Sequence, residues 1–374
     1  MFLNNGYGVF EEDEEALPQL NISSGVVLPF DFDHDGDQDL FIGGRLVPQH
    51  YPLPESSYIL RNYTSNGQVK FVNVTKEVAS TYLDDIGMVT DAKWADVTGD
   101  GEKDLIITGE WMPITILRKE NGSFVKHSSE TLQQHIGWWN TIAINDFDND
   151  GDIDIIGGNL GLNYKYKASK DEPFEVYSAD FDSNGTRDIA LGYYNEGVLY
   201  PLRGRECSSQ QIPQIKKSFS TYHEFALAPF DKVYNYQKIE GLTHLVATTF
   251  ASTYFENKDG DFVSKPLPIE AQFSSINSIL SEDFNGDGYL DLLVSGNNYV
   301  SEVETPRNDA GFGQLLINDP KGFFVPVSAQ DSGVLVEGDM RNSAKIEIDE
   351  KTKTYMFVKN NGSIQMISRK EKPE

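Results

Sequence analysis

The stretch Asp146-Phe-Asp-Asn-Asp-Gly-Asp-Ile-Asp154 indicates the fold of this 374-residue chain. Acidic side chains stand at its first, third, fifth and ninth positions, and glycine stands at the sixth. Short carboxylates at alternate positions can all turn towards one hard cation, and Ca²⁺ prefers six to eight oxygen ligands. Gly151 suits the positive φ that a bend around an ion requires, because glycine lacks a Cβ. The apolar residues that follow predict a strand, whereas an EF-hand loop would continue into a helix.

The same nine-residue pattern occurs five times, and a short apolar run follows each copy. The seventh residue is expected to bind through its backbone carbonyl and the others through their side chains. The candidate calcium ligands are, copy by copy, Asp31, Asp33, Asp35, Asp37 and Asp39; Asp96, Thr98, Asp100, Glu102 and Asp104; Asp146, Asp148, Asp150, Asp152 and Asp154; Asp180, Asp182, Asn184, Thr186 and Asp188; and Asp283, Asn285, Asp287, Tyr289 and Asp291. We expect about five Ca²⁺ ions, bound most tightly in the first and third copies, which offer the most carboxylates. The alternative is a set of solvated acidic turns that bind no metal.

The chain is strongly acidic, with a formal net charge of −27. The five loops hold 20 of the 58 Asp and Glu residues, and five calcium ions would contribute ten positive charges and leave −17. The remaining negative field would repel phosphate backbones and anionic lipids. We therefore expect no nucleic-acid partner and no direct membrane insertion.

The single cysteine, Cys207, excludes an intramolecular disulfide and leaves its own role open. No apolar run approaches the roughly 20 residues of a spanning helix. Residues 1–20 are acidic and therefore unlike a signal peptide, and Met1 opens directly onto sequence typical of the middle of a domain. We expect the chain to be a fragment of a longer exported protein.

Four short strands recur at a spacing near 50 residues, which is typical of β-propeller blades. The copy around the last loop shows the unit best, with strands predicted at 276–282, 292–295, 314–318 and 323–327. Because no stretch shows sustained helical periodicity, we predict an all-β chain that forms one seven-bladed propeller over residues 1–374. The predicted blades cover residues 25–80, 87–136, 138–172, 173–220, 221–270, 275–330, and 335–374 with 1–12.

Two blades depart from the common pattern. The fifth is expected to lack calcium ligands and to use residues 223–228 and 244–250 as its first two strands. The last offers three strands, and residues 7–11 could add the fourth. Pairing the two ends in this way would close the propeller and remove two exposed sheet edges.

The repeat Asp-x-Asp-x-Asp-Gly-x-x-Asp, followed by a strand and by Asn121-Gly-Ser-Phe124, resembles the FG-GAP/VCBS repeat. That family forms integrin-α-like propellers with calcium between the first two strands of a blade. Thr98 departs from the Asp or Asn that is usual at the third position. The stretches 109–113, 137–140, 159–163 and 203–213 resemble a bacterial branch whose members are exported and often accompany outer-membrane glycan-uptake receptors. The resemblance, which covers nearly the whole chain, implies calcium in the five loops and a location at the cell surface.

Blade topology would send another set of loops to the face opposite the calcium loops. This predicted face comprises residues 45–54, 159–170 and 297–307 together with Trp111, Trp138, Trp139, Tyr193, Tyr194, Arg203 and Arg205. Its Trp, Tyr, Asn and Arg content is typical of surfaces that recognise proteins or sugars. We expect a protein or glycan ligand, contacted first by Trp111, Trp138, Trp139, Arg203 and Arg205. The alternative is that the tryptophans pack between blades and the arginines pair with acids.

Little in the sequence favours catalysis. The six histidines are scattered, and neither a nucleophile elbow nor a phosphate-binding glycine loop is present. We therefore expect a non-enzymatic binding protein. One alternative is a polysaccharide lyase that uses Lys, Arg or Tyr on a calcium propeller, and another is a structural spacer domain.

Overall fold

The computed structural model describes residues 1–301, 305–319, 322–349 and 352–370. As predicted, the chain is all-β, with 42% strand and 12% helix, and its sheets are antiparallel. No helix among the described residues has the length and hydropathy that crossing a membrane requires. Residues 302–304 of the predicted binding face, 320–321 of the sixth predicted blade, and 350–351 and 371–374 of the seventh lie outside the described ranges.

The N-terminal part of the chain forms a hairpin and then a four-stranded sheet. The hairpin consists of β1 (Phe2–Asn4) and β2 (Phe10–Glu12). Sheet I consists of β3 (Ser24–Phe30), β4 (Asp39–Gly44), β5 (Tyr58–Asn62) and β6 (Phe71–Asn73), paired in chain order. The first acidic loop joins β3 to β4, and helix α1 (Thr75–Ala79) follows the sheet.

Sheet II repeats this arrangement, with the second acidic loop between its first two strands. Its strands are β7 (Met88–Ala95), β8 (Asp104–Met112), β9 (Thr115–Glu120) and β10 (Ser123–Lys126). Helix α2 (Glu130–Gln134) leads to the short strand β11 (Gly137–Trp138), which pairs with the end of β8.

Sheet III begins with β12 (Thr141–Asn145) and β13 (Asp154–Gly158), joined by the third loop, and is then interrupted. The interruption, which we call the inserted unit, spans residues 159–252. It contains β14 (Phe174–Ala179), β15 (Asp188–Asn195) and β16 (Val198–Pro201), then helices α3 (Arg205–Gln211), α4 (Gln214–Ser218), α5 (Tyr222–Ala226) and α6 (Phe230–Tyr234), a 3-10 turn at Tyr236–Lys238, and β17 (Thr243–Ala247). The fourth loop joins β14 to β15, and the strand order of this inserted sheet is β16-β15-β14-β17.

The chain then returns to sheet III with β18 (Thr253–Lys258) and β19 (Asp261–Pro266). Strand β18 pairs with β13, so that Phe255 lies opposite Ile155. The predicted blades 138–172, 173–220 and 221–270 are therefore wrong, because the outer half of the third blade comes from residues 253–266. Most of the predicted strand at 223–228 lies in helix α5 (Tyr222–Ala226), and Thr221 and Glu224 form the capping box of this helix.

Sheet IV agrees with the prediction for this region. A 3-10 turn at Ile269–Gln272 precedes β20 (Ile276–Glu282), β21 (Asp291–Gly296), β22 (Gln314–Asp319) and β23 (Phe323–Val327). Helix α7 (Ala329–Ser332) leads to sheet V, formed by β24 (Met340–Asp349), β25 (Thr352–Lys359) and β26 (Gln365–Lys370).

The predicted pairing of the two chain ends is not observed among the described residues. Strand β2 pairs with β1, placing Phe10 opposite Asn4, and β26 pairs with β25. The N-terminal segment instead packs on sheet I, where the Phe71 N–H donates to the Ala16 carbonyl at 2.8 Å. A tight local hairpin costs less loop-closure entropy than pairing residues more than 350 positions apart.

The first strands of the five main sheets lie side by side in the order β3, β7, β12, β20 and β24, as in a β-propeller. Apolar layers fill the spaces between neighbouring sheets. In sheet III, Ile155 packs in the layer against sheet II and Ile156 in the layer against sheet IV. Five described sheets in this row and one inserted sheet take the place of the seven consecutive blades that were predicted.

Candidate metal centres

All five acidic loops share one backbone geometry. The sixth-position glycines have positive φ values: 94° at Gly36, 87° at Gly101, 100° at Gly151, 88° at Gly185 and 91° at Gly288. The fourth position is also left-handed in each loop, with φ of 61° at His34, 70° at Gly99, 59° at Asn149, 59° at Ser183 and 86° at Gly286. The residues at this position belong to types that enter this region most easily, apart from serine. The sequence analysis overlooked this second constraint.

Three hydrogen bonds recur in every loop and point its carboxylates inwards. In the third loop, Asp146 accepts from the Gly151 N–H at 3.0 Å, Asp150 from Asp152 at 3.0 Å, and Asp154 from Phe147 at 2.9 Å. The equivalent bonds in the other four loops are 2.7–3.2 Å long. The backbone therefore orients the first, fifth and ninth side chains in the same way in each copy.

In each of three loops, the carboxylates converge closely enough to bind one cation. One oxygen from each member of a triplet lies within 4.8 Å of the others, and the triplets are Asp31, Asp33 and Asp39; Asp146, Asp148 and Asp154; and Asp180, Asp182 and Asp188. The second and fifth loops have Thr98 and Asn285 at the third position, so a neutral oxygen replaces the middle carboxylate there. Oxygen donors of this kind and number suit a hard dication such as Ca²⁺.

Several of these oxygens are buried without a hydrogen-bond partner among the described residues. They include Asp31 Oδ1, Asp33 Oδ1 and Asp182 Oδ1. Burial also raises the pKa of Asp39, Asp154 and Asp188 to about 6 each. Buried, unpaired carboxylate oxygens are costly unless a cation compensates them. The donor set thus fits a calcium ion in these loops.

An asparagine on the third strand, buried in sheets III and IV and half-buried in sheet I, supports the loop of each of these sheets, and the sequence analysis missed this role. Asn62, Asn257 and Asn318 donate their backbone N–H to the ninth-position Asp at 2.7, 2.7 and 2.8 Å. Their side-chain amides donate to the eighth-position carbonyl at 3.0, 2.9 and 3.1 Å. A recognisable signal exists in the sequence, since each asparagine is the last or next-to-last residue of its strand and precedes a glycine by three to five residues.

Basic side chains stand beside the two loops that carry the most acids. Arg61 Nε lies 2.8 Å from Asp33 Oδ2. Lys258 Nζ lies 3.4 Å from Asp148 Oδ2 and 3.2 Å from Asp150 Oδ2. These cations offset part of the loop charge, so counting carboxylates alone overstates the charge available to a metal.

Of the tryptophans of the predicted binding face, Trp111 and Trp139 are buried and Trp138 is half-buried. Trp111 and Trp138 meet edge to face at 5.1 Å and pack with Phe174 of the inserted sheet. Trp139 is fully buried between sheets II and III, 5.8 Å from Phe255. The assignment of Trp111 and Trp139 as exposed ligand contacts is therefore wrong, because the chain's own inserted unit and sheets cover them.

The two predicted arginines lie in the inserted unit, at the start of its helices. Arg205 Nε donates to the Phe219 carbonyl at 2.7 Å, and its guanidinium pairs with Glu206 at 2.9 Å. Arg205 therefore links α3 to the end of α4. The Ser208 hydroxyl donates to the backbone carbonyl of Arg203 at 3.2 Å.

Comparison with known families supports the repeat assignment. Residues 96–157 match the model of the FG-GAP-like repeat, a segment that contains the second and third loops, most of sheet II and the first two strands of sheet III. No curated protein matches the chain. With its all-β architecture, this match supports an FG-GAP repeat protein with a β-propeller-like fold.

Proposed function

We propose that this protein is an exported, calcium-stabilised binding module without enzymatic activity. Its acidic loops hold Ca²⁺, and its sheets present a binding surface to a protein or glycan at the cell surface, as an accessory to outer-membrane glycan uptake. The observation that carries this proposal is the convergence of three carboxylates in each of three loops. In the first and fourth loops, buried oxygens of these carboxylates have no hydrogen-bond partner among the described residues.

Calcium in these loops would stiffen the contacts between neighbouring sheets. Asn257 donates to Ile153 in the third loop and to Val97 in the second loop. Asn318 likewise joins Leu290 in the fifth loop to Phe147 in the third. Ordering one loop therefore helps to position the next, which favours a rigid scaffold for recognition.

The calcium requirement also supports a location outside the cytosol. Extracellular calcium modules bind with dissociation constants near the millimolar range, where only an extracytoplasmic calcium concentration fills them.

The inserted unit is the best candidate for the binding surface. It interrupts sheet III, covers the tryptophans and adds a helical layer on the far side of its own sheet. A long excursion from a repeated scaffold, held by a large aromatic cluster, is a common way to carry function on a rigid fold. It replaces the tryptophan face as the surface we expect a ligand to contact.

One observation favours the lyase as a second candidate. In the inserted sheet, the buried Glu175 carboxylate accepts hydrogen bonds from the hydroxyl groups of Tyr177 and Tyr194. His244 Nε2 lies 2.8 Å from Glu175 Oε2. A histidine oriented by a carboxylate and flanked by tyrosines could move protons during cleavage of an acidic polysaccharide. The same cluster also links the sheet to its helical layer, and that structural role needs no catalysis.

Metal counting combined with a binding assay tests the proposed function. Protein dialysed against millimolar Ca²⁺ should retain at least three ions, and glycan-array or partner binding should disappear when EDTA removes them. Fewer than three ions, or binding that EDTA leaves unchanged, would contradict the proposal. Depolymerisation of an acidic polysaccharide would favour the lyase instead.

A further inference from the structure

A cleft of about 400 Å³ opens between the edge of the inserted sheet and the segment 159–173 that leads into it. Polar and aromatic side chains line it, among them Lys165, Lys167, Ser169, Glu172, Tyr193 and Tyr194. Its volume lies in the range of small-ligand sites. We infer that this cleft binds an acidic sugar, a hexuronate unit of an anionic glycan. The inference rests on the proposed binding function and names its ligand.

The leading segment presents its lysines to the cleft because its tyrosines are buried. Tyr166 stacks on Phe174 with ring centroids 4.7 Å apart and also contacts Trp138. Alternation then directs Lys165 and Lys167 outwards, and both are exposed. Reciprocal hydrogen bonds of 3.0 Å between Ser169 and Glu172 turn the segment back towards the sheet. The lysine wall is therefore fixed by the aromatic core beneath it.

The positive charge of this wall points to an anionic ligand. Lys167 Nζ donates to the Leu162 carbonyl at 2.7 Å, which positions the ammonium without neutralising it. Within the described part of the chain, Lys167 forms no ion pair. The chain as a whole carries −27, but charges more than about 8 Å away are largely screened at physiological ionic strength. A carboxylate in the cleft would therefore respond mainly to the side chains that line it, with Lys167 as its ionic partner.

The other side chains favour a sugar acid over a simple anion. Tyr193 is 38% exposed and lies across the strand pair from Tyr200, at 6.5 Å between ring centroids. An exposed phenol ring offers a flat apolar face and a polar edge, which suit the two faces of a sugar ring. Glu172 can accept hydrogen bonds from the hydroxyl groups of a sugar acid, which a simple inorganic anion such as sulfate does not offer. Its Oε1 is held by the Gly197 N–H at 3.0 Å.

The inner wall of the cleft is held by the buried carboxylate beneath it. The Tyr194 hydroxyl donates to Glu175 Oε1 at 2.9 Å, and Glu175 is 5% exposed. His244 contacts the same carboxylate and stacks on Tyr177 at 4.2 Å. Tyr194 therefore keeps one orientation before a ligand arrives, which lowers the entropy cost of binding.

Calorimetric titration of the calcium-loaded full chain tests this inference. The probes are a tetragalacturonate, the neutral galactose tetrasaccharide and inorganic phosphate. We expect the tetragalacturonate to bind, and we expect no binding of the neutral tetrasaccharide or of phosphate. Lys167→Gln and Tyr193→Ala should each weaken uronate binding roughly ten- to a hundredfold, as expected for loss of a charged hydrogen bond or an aromatic anchor.

Lys170→Gln provides the matched control. Lys170 belongs to the same segment, but its Nζ donates to Gln134 Oε1 at 3.2 Å and it does not line the cleft. Its substitution removes the same charge and should leave affinity within about twofold. Lys167→Arg should retain most of the binding, and variants are compared only when they melt like the wild type.

The outcomes separate this inference from the function on which it depends. If the wild type binds no uronate, or if Lys170→Gln and Lys167→Gln weaken binding equally, the cleft assignment is overturned. Calcium retention and calcium-dependent capture of another glycan or a protein would then still support the proposed function. If the wild type binds the uronate and Lys167→Gln weakens that binding, the result supports the cleft as the binding site. If the protein also cleaves the probe, the proposal of a non-enzymatic protein is wrong.

Discussion

The side-chain amide of Asn257 donates to the Val97 carbonyl at 2.8 Å, which links strand β18 of sheet III to the acidic loop of sheet II. The same amide donates to Ile153 in the loop of its own sheet. Asn257 is 2% exposed, so both carbonyls depend on it rather than on solvent. Neighbouring acidic loops are thus joined through one buried side chain.

We predict that Asn257→Ala costs about 2–4 kcal/mol of unfolding free energy, because it leaves buried carbonyls unpaired. Asn62→Ala is the matched control. Asn62 occupies the same place in sheet I, but its side-chain amide donates to Gln38 of its own loop and it is only half-buried. The control should cost about 1 kcal/mol. Urea unfolding in millimolar Ca²⁺ measures both values, and equal losses would contradict the proposed link between sheets.

Removal of calcium should lower the melting temperature. A ligand that binds only the folded state at a hundredfold excess over its dissociation constant adds about 2.7 kcal/mol of stability. Differential scanning calorimetry with and without EDTA measures the change, and Mg²⁺ at the same ionic strength controls for screening. Identical curves with and without chelator would mean that the loops bind no calcium.

Lys258 should compete with metal in the third loop. We predict that Lys258→Met raises the calcium affinity of this loop about two- to tenfold and lowers the stability of the metal-free protein, because Asp148 and Asp150 then face each other uncompensated. Lys265→Met is the control, since Lys265 pairs with Glu256 at 2.9 Å and is not in contact with the loop acids. Calcium titration monitored by calorimetry distinguishes the two variants. Unchanged affinity in Lys258→Met would show that the ammonium does not oppose the metal.

The acidic loops were predictable from sequence because the hydrogen bonds that shape the turn itself lie within nine residues. The glycine at position six and the alternating acids suffice to predict the turn and the strand after it. Strand β21 (Asp291–Gly296) accordingly extends the predicted 292–295 by one residue at each end. The supporting asparagines were missed because their partners lie in a distant strand or in a neighbouring sheet.

Strand partnership in the middle of the chain could not be predicted in the same way. Strands β13 and β18 both carry apolar residues on two faces, and nothing in this pattern says that Ile155 pairs with Phe255 rather than with the next strand along the chain. Helix α5 has five residues, too few to show helical periodicity. The sequence signal for this helix was the capping pair Thr221 and Glu224, which a prediction based on strand patterns did not use.

Trp111 should anchor the inserted unit to sheet II. Its indole N–H donates to the Tyr51 hydroxyl at 2.6 Å, and its ring stacks on Phe174 at 5.9 Å. We predict that Trp111→Ala costs about 3–5 kcal/mol and makes the inserted unit more sensitive to limited proteolysis than sheet IV. Tyr7→Ala, at a position that is 91% exposed, should change neither property. Uniform cleavage across the chain would argue that the inserted unit does not depend on this contact.

The buried Glu175 should give the inserted unit a dependence on acid pH. Burial works against its ionisation, but hydrogen bonds from His244 and two tyrosines outweigh burial and hold its pKa below the usual 4.5. Because the pKa is lower in the folded state, this carboxylate stabilises the fold above about pH 4.5, and the contribution is lost as pH falls through the folded-state pKa. Glu175→Gln should therefore be less stable than the wild type near neutral pH, and the difference should narrow below about pH 4.5.

Tyr194→Phe supplies the control for this mechanism. It removes one donor to Glu175, so the pKa of Glu175 should rise towards its usual value, and the loss of stability at acid pH should be smaller and complete at a higher pH. Urea unfolding of the three proteins from about pH 6 to about pH 3 measures the effect as a difference from the wild type, which cancels the titration of the acidic loops. A difference between wild type and Glu175→Gln that stays constant over this range would show that the carboxylate contributes through packing and not through its charge.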